Sequence, residues 1–350
     1  MGDVSIQKVA ELAGVSTATV SRALAGKQSV SAQTREKVEA AAKELGYVVS
    51  ATASGLASGR TRAVGIMLPY LDRWFFTTVM AGAHRELTDA GYDVTLYHCE
   101  PHRLNDPDGT ANPRRARLFE ESLLRRRVDG LLLVTLSLAP AERARLSSLD
   151  KPVVAIDRPQ PDVPTFAVDN LAVAKAAVSH LLELGHRDIA YVGGVIPYDL
   201  DFQVPVLRRA GYDTAMAEAG IPVRPHWIEE SEYTSEGGYA AARSILSDRE
   251  HRPTAVFAAS DEIAYGVLMA ARELDLRVPE DLSIIGIDGH PTGSVLGLTT
   301  IDQHPAQQGA VGARALLHAL EPEVEHAPVP ARLPFELIAR QSTAAPRVGA

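Results

Sequence analysis

The chain is 350 residues long, with 35 Lys and Arg against 44 Asp and Glu, a formal charge of −9 at pH 7. Its single cysteine, Cys99, excludes an internal disulfide and a cysteine-cluster metal site. No apolar run is long enough to cross a membrane as a helix, and the opening MGDVSIQ lacks the features of a signal peptide, so a cytoplasmic location is expected.

The first twenty-odd residues, SIQKVAELAGVSTATVSRAL, predict two short helices and a tight turn. Ser5 is placed to cap a helix through Ala13, whose apolar face is Ile6, Val9, Ala10 and Ala13. Gly14 ends it, as a residue without a β-carbon takes a left-handed conformation at low cost. Ser16 caps the next helix, which turns Val20, Ala23 and Leu24 inward and Thr17, Ala18, Thr19, Ser21 and Arg22 outward. This spacing fits a helix-turn-helix, which places its second helix in the DNA major groove; a plain helical hairpin is the alternative. Arg22 is the residue type that contacts guanine through two hydrogen bonds.

A third helix is predicted from Ser31 to Gly46, buried through Val38, Ala41, Ala42 and Leu45, with Thr34 and Arg35 near any phosphate backbone. Residues 1–62 hold eight Lys and Arg against five Asp and Glu, a net +3, which leaves −12 on residues 63–350. A modestly basic head on an acidic body is the footprint of a nucleic-acid binder, and so small a charge calls for two heads per functional unit. The stretch 48–63, VVSATASGLASGRTRA, has the composition of a flexible linker. Yet Ala53, Leu56 and Ala57 share one helical face, and an isolated leucine of this kind can wedge between base pairs from the minor groove.

From about 63 to 343, short apolar runs such as AVGIML, DGLLLVT, DIAYVGG and SIIGID alternate with amphipathic helical stretches. The alternation predicts parallel sheets covered by helices, and about 280 residues suffice for two α/β subdomains. Ligands in such folds bind beyond the carboxyl ends of strands. Tyr70, Trp74, Phe75 and Phe76 cluster after the first strand, Asp288 ends SIIGID, and Arg208 opens RRAGY as a clamp for oxygens. Phe76 reads equally well as core. The eleven histidines show no metal-ligand spacing; His98 and His102 straddle a strand end with Pro101 between them. No nucleophile–base set is legible, so neither an enzyme, a cofactor nor a metal is expected.

The head, VAELAGVSTATVSRAL with VSAQTREKVEAAAKELGY, resembles the lactose-repressor/galactose-repressor family of bacterial transcription regulators. RRRVDGLLL, LLELGHRDIAYVGG, RRAGYDTAMAEAG, HRPTAVFAASDEIAYGVL, VPEDLSIIGIDG, LTTIDQHP and LPFELIARQST extend that resemblance in order across almost the whole chain. It implies an all-α helix-turn-helix head (1–48), a hinge with a minor-groove helix (49–62), a periplasmic-binding-protein-like core of two doubly wound parallel-sheet subdomains (63–343) and a tail (344–350). The implied N-subdomain is about 63–163 plus 293–323, and the C-subdomain about 164–292 plus 326–343. Thr17, Ala18 and Arg22 take base-reading positions; Ser16, Thr19, Ser21, Ser31 and Thr34 take phosphate-contacting ones; Leu56 is the hinge wedge. Phe75, Arg208, Tyr233, Ser260 and Asp288 match effector-contacting positions, to which the residue reading adds Tyr70 and Trp74. Asp261, beside them, is expected to be structural.

The chain departs from the family pattern in places. Val49 stands where many members have proline, Ser54 where many have a long polar residue, and Arg73-Trp74 where Asn-Pro is common. Gly55 costs about 1 kcal/mol inside a hinge helix, which predicts a hinge that folds only on DNA. VIPYDLDFQVP is longer than usual, and its Asp199 and Asp201 read as exposed loop carboxylates. The expected function is a homodimeric repressor on a pseudo-palindromic operator, released by a small carbohydrate-like effector. A corepressor-dependent regulator binding a nucleobase or another metabolite, and a solute-binding protein without regulatory role, are the alternatives. After Arg340 no heptads follow, so a C-terminal tetramerisation helix is not expected.

Overall fold

The computed structural model describes residues 5–24, 29–47, 60–99, 117–118, 128–136, 138, 140–148, 151–159, 162–194, 203–330 and 332–347. Ala53, Leu56, Asp199, Asp201 and nearly all of the expected helix at 119–128 lie outside these residues.

Three helices form the head: α1 (Ile6–Ala13), α2 (Thr17–Leu24) and α3 (Ala32–Leu45). They enclose one small core of Val9, Ala10, Val20, Ala23, Val30, Val38, Ala41 and Ala42, the faces that helical spacing selects. Gly14 closes α1 at φ 66, where a side chain would be strained, and the chain turns directly into α2. Ser31 caps α3 by accepting the Thr34 N–H, and Ser16 accepts the Thr19 N–H at 3.2 Å. Ser5 stands at the N-cap of α1 as expected, but its side chain makes no capping bond.

The first subdomain is a five-stranded parallel sheet in the order β2-β1-β3-β4-β5. Its strands are β1 (Ala63–Leu68), β2 (Asp93–His98), β3 (Gly130–Val134), β4 (Val153–Ile156) and β5 (Thr165–Phe166). Helices α4 (Trp74–Asp89) and α5 (Pro140–Ser147) belong to it. Strand β3 is buried along its whole length, as a central parallel strand must be. Cys99 is buried in the same subdomain, against Met67 and Leu131 among others.

The second sheet has six strands in the order β11-β10-β9-β8-β6-β7. These are β6 (Ile189–Gly194), β7 (Ile228–Ser231), β8 (Ala255–Ala258), β9 (Ser283–Asp288), β10 (Thr299–Asp302) and β11 (Glu336–Ile338), all parallel to their neighbours except β11. Helices α6 (Asn170–Glu183), α7 (Gln203–Glu218), α8 (Ser235–Leu246), α9 (Asp261–Glu273) and α10 (Pro291–Leu296) accompany it. Its core is the largest in the molecule and includes Tyr191, Tyr212, Trp227 and Phe257.

Three crossings join the subdomains, after β5, after β10, and between α11 (Pro305–Leu320) and β11. Two expected boundaries shift. Strand β5 pairs with β4, so the first crossing follows Phe166 rather than residue 163. Strand β10 pairs with β9 from Thr299 to Asp302, so residues 293–302 belong with the second sheet, and only α11 returns to the first. That helix meets α4 backbone to backbone. A Cβ at Gly82 would lie 1.9 Å from the Ala306 carbonyl oxygen, and one at Gly309 1.9 Å from that of Val79. Residues 344–347 are not a loose tail: Ala344 bonds His186 and Ser283, and Arg347 pairs with Asp281 at 2.9 Å.

Candidate DNA-reading head and effector cleft

The outward face of α2 carries the expected residues. Thr17, Ala18, Ser21 and Arg22 are exposed and Thr19 is half-buried. Arg22 folds back along the helix, Nε donating to the Ala18 carbonyl at 3.1 Å, which fixes the guanidinium beside the candidate base-reading residues. Ser16 and Thr19 share a hydroxyl–hydroxyl bond of 2.9 Å, and Ser31 and Thr34 repeat it at 2.8 Å. The same Ser-x-x-Thr device therefore opens both helices, with hydroxyls and helix-end amides gathered where an anion is favoured.

At the end of the hinge, the chain is fastened to the core. Asp129, at the foot of β3, accepts from the Thr61 N–H (2.8 Å), the Thr61 hydroxyl (2.9 Å) and the Arg62 N–H (2.8 Å). Arg62 also pairs with Glu321 at 3.0 Å. The sequence reading missed this clamp, because residues 61 and 129 are joined only by the parallel packing of β1 and β3.

The effector candidates converge where strands of both sheets end. Tyr70 follows β1, and Trp74 and Phe75 form the first turn of α4; all three are half-buried. Phe76 is buried, 5.4 Å from both Tyr70 and Phe75 by ring centroids, and belongs to the core. Arg208 is buried with Nε donating to Asn170 Oδ1 at 3.0 Å and Nη1 donating to the Ala259 carbonyl. Tyr233 lies against Gly194, where a Cβ would sit 1.9 Å from its ring. Its hydroxyl is buried without a hydrogen-bond partner among the described residues, and burial, against the pull of Arg208, pushes it up to about 12. Asp288 ends β9 at φ 137, an unusual conformation for a residue with a side chain, and accepts from Gln303 Nε2. Burial pushes its carboxyl up to about 8, opposed chiefly by Arg208.

Two candidates have structural work. Ser260 caps α9 by accepting the Ile263 N–H at 3.2 Å, which occupies its hydroxyl oxygen. Asp261 is fully buried and ties the Thr300 hydroxyl (2.7 Å) to the His290 N–H (2.8 Å), as expected of a structural residue.

The sequence reading also missed Asp157, which ends β4 as Asp288 ends β9. Its carboxylate accepts from Asn170 Nδ2 at 3.2 Å; burial raises its pKa and Arg208 lowers it. A cavity of about 130 Å³ opens beside it, lined by Thr135, Asp157, Asn170, Gln203 and Leu207 among others. The recurrent Ile-Asp at a strand end was the available signal. Elsewhere, Asp302, His304 and Glu336 bring potential ligand atoms within 4.8 Å of one another, with Glu336 exposed and both nitrogen contacts of His304 directed at Asp302. No described helix is long and apolar enough to cross a membrane.

A helix-turn-helix head on a two-subdomain core with a polar interdomain cleft defines a ligand-responsive DNA-binding regulator. Residues 5–50 match the profile of bacterial regulatory proteins, lacI family, and residues 178–343 that of the periplasmic binding protein-like domain. The chain is 32% identical over 345 residues to catabolite control protein A of Priestia megaterium, covering 97% of this chain and 99% of the relative. It is 35% identical over 346 residues to the HTH-type transcriptional repressor PurR of Serratia proteamaculans (strain 568), covering 97% of each. Among solved structures, the Lac repressor dimer bound to operator and the anti-inducer ONPF superposes with a TM-score of 0.82 at 27% identity, over 98% of this chain and 100% of that one. The CelR–cellobiose complex gives 0.67 at 29%, over 97% and 99%. The chain belongs to the LacI family of bacterial transcription regulators, and it is a regulator rather than an enzyme or a solute carrier.

Proposed function

We propose that this protein is a dimeric, cytoplasmic repressor whose release from a pseudo-palindromic operator is controlled by a neutral, hydroxyl-rich effector of carbohydrate type. The observation that carries the effector class is the charge balance of the cleft. One buried guanidinium, Arg208, acts on two carboxyls, buried Asp288 and half-buried Asp157, and the Tyr233 hydroxyl beside them has no partner among the described residues. Such a set offers donors and acceptors to ligand hydroxyls, while Arg208 is already engaged by Asn170 and the Ala259 carbonyl rather than left free to bind an anion. Tyr70, Trp74 and Phe75 supply the aromatic surface against which sugar rings pack. A solved neighbour, CelR, is a complex with cellobiose, which agrees with this class.

On the DNA side, Thr17, Ala18 and Arg22 read bases, and Ser16, Thr19, Ser21, Ser31 and Thr34 position the head on phosphates. Ala53 and Leu56 enter the minor groove from the hinge. A net +3 per head argues for two heads on one duplex, and the operator-bound Lac repressor neighbour is a dimer. The domain plan is a head at 1–48, a hinge at 49–62 and a core from 63, with the subdomain borders after Phe166 and Asp302. Effector binding changes operator affinity by a coupling free energy of about 1–3 kcal/mol.

The test is a thermal-shift screen of neutral sugars, sugar phosphates and nucleosides on the full chain, followed by operator titrations with each hit. Neutral sugars are expected to raise the midpoint and weaken operator binding. A nucleoside that raises the midpoint and tightens operator binding would replace this reading with the corepressor one.

A further inference from the structure

The two residues at the start of α4 reach across the cleft, at the positions where this chain departs from Asn-Pro. Arg73 is the N-cap residue of α4, yet its side chain makes no capping bond. It is aimed at the other subdomain, where Nη1 donates to the Tyr233 carbonyl at 2.9 Å. Its charge also acts on Glu262 of α9, whose carboxyl burial pushes up and Arg73 draws back down. Trp74 lays its ring 4.5 Å from that of His290, at 44°.

His290 is itself held firmly. Its N–H donates to Asp261, its Nδ1 accepts from the Thr292 N–H at 3.0 Å, and its ring meets Tyr265 edge-on at 5.5 Å. One dipeptide of the first subdomain is thus tied to two separate loops of the second. One loop carries Tyr233; the other begins at Asp288.

We propose that Arg73 and Trp74 form a latch across the effector cleft, holding the two subdomains together and setting how often the cleft opens. A guanidinium donor and a tilted ring–ring contact are each individually modest, but they act in parallel on the same motion. Ligand access requires both to break. Because Arg73 holds the backbone of Tyr233 and Trp74 holds the loop after Asp288, the latch also positions the Tyr233 and Asp288 side chains through contacts within the protein. It stands on these contacts alone and holds whatever the effector's identity.

The test measures the distance between subdomains in the full-length protein by double electron–electron resonance. Spin labels go on Asp89→Cys and Ala219→Cys, both exposed and one on each subdomain, in a Cys99→Ala background. Wild-type latch residues are expected to give one narrow distance. Arg73→Ala and Trp74→Ala should each add a longer-distance population, raising the open-to-closed ratio roughly tenfold, the size expected for loss of one charge-assisted hydrogen bond or one packed aromatic pair. Arg73→Lys, which keeps a donor, should fall between. Should one variant fail to fold, the other and His290→Ala carry the test. An unchanged distance distribution in the folded variants, or a broad one in the wild-type background, overturns the latch.

Discussion

Arg208 donates through Nε to the side-chain oxygen of Asn170 at 3.0 Å, and the amide nitrogen of the same Asn170 donates to Asp157 at 3.2 Å. Asn170 is therefore a relay between a guanidinium on α7 and a carboxyl at the end of β4, and so between the two subdomains. A ligand that alters either end acts on the other through one side chain.

Removing Arg208 should do more than abolish the effector response. Arg208→Ala leaves Asn170 Oδ1 and the Ala259 carbonyl without their donor and removes the cation that draws down the Asp157 and Asp288 carboxyls, a loss of about 1–3 kcal/mol. Urea unfolding monitored by circular dichroism should show this loss, greater at pH 8 than at pH 5 because Asp288, pushed up to about 8, is then partly ionised. Equal loss at both pH values would show that packing, not charge, is the role of Arg208.

Asp288 predicts a pH dependence of definite sign. Its folded pKa, about 8, lies above the unfolded value of 3.8. The stability it contributes is full below pH 4 and is lost as pH rises through 8. Asp288→Asn keeps the acceptor for Gln303 and removes the ionisation. Its thermal midpoint should match wild type near pH 4 and exceed it by ~3 °C or more at pH 9; scanning calorimetry across that range checks the crossover.

The head should separate reading from positioning. Arg22→Ala is expected to weaken the best operator by about 1–3 kcal/mol and to relax preference at one base pair per half-site. Ser31→Ala should weaken all sequences alike without altering the salt slope, since it removes no cation, and should cost the head about 0.5–2 kcal/mol through its lost cap. Fluorescence anisotropy on an operator library at two salt concentrations distinguishes them.

Asp129 should matter to DNA binding although it lies on the core. Asp129→Ala releases the Thr61 and Arg62 amides that anchor the exit of the hinge. Operator affinity should fall at least about fivefold, a coupling within the ordinary range for an allosteric link, while effector binding, followed by calorimetry, stays near wild type.

Much of this site was legible because local chemistry repeats. Serines at 16 and 31, read as caps, announced two helix starts, and Asp288 at a strand end pointed to the cleft. Ser260 shows the limit: its place beside the cleft was legible, but its capping bond to Ile263 depends on the turn into α9. Asp157 was passed over although its Ile-Asp repeats that of Asp288, because only the fold brings Arg208, distant in sequence, to act on it.

The sequence by itself determined the head, the alternation of strands and helices, the family and the outward face of α2, because periodicity and caps act within a few residues. Tertiary structure alone decided which sheet takes β10, that Asn170 links Arg208 to Asp157, that Asp129 holds the hinge exit, and that Arg73 and Trp74 span the cleft. Those outcomes depend on parallel strand pairing and on chain crossings between subdomains, where partners lie from 13 to more than 200 residues apart and no local pattern encodes the pairing.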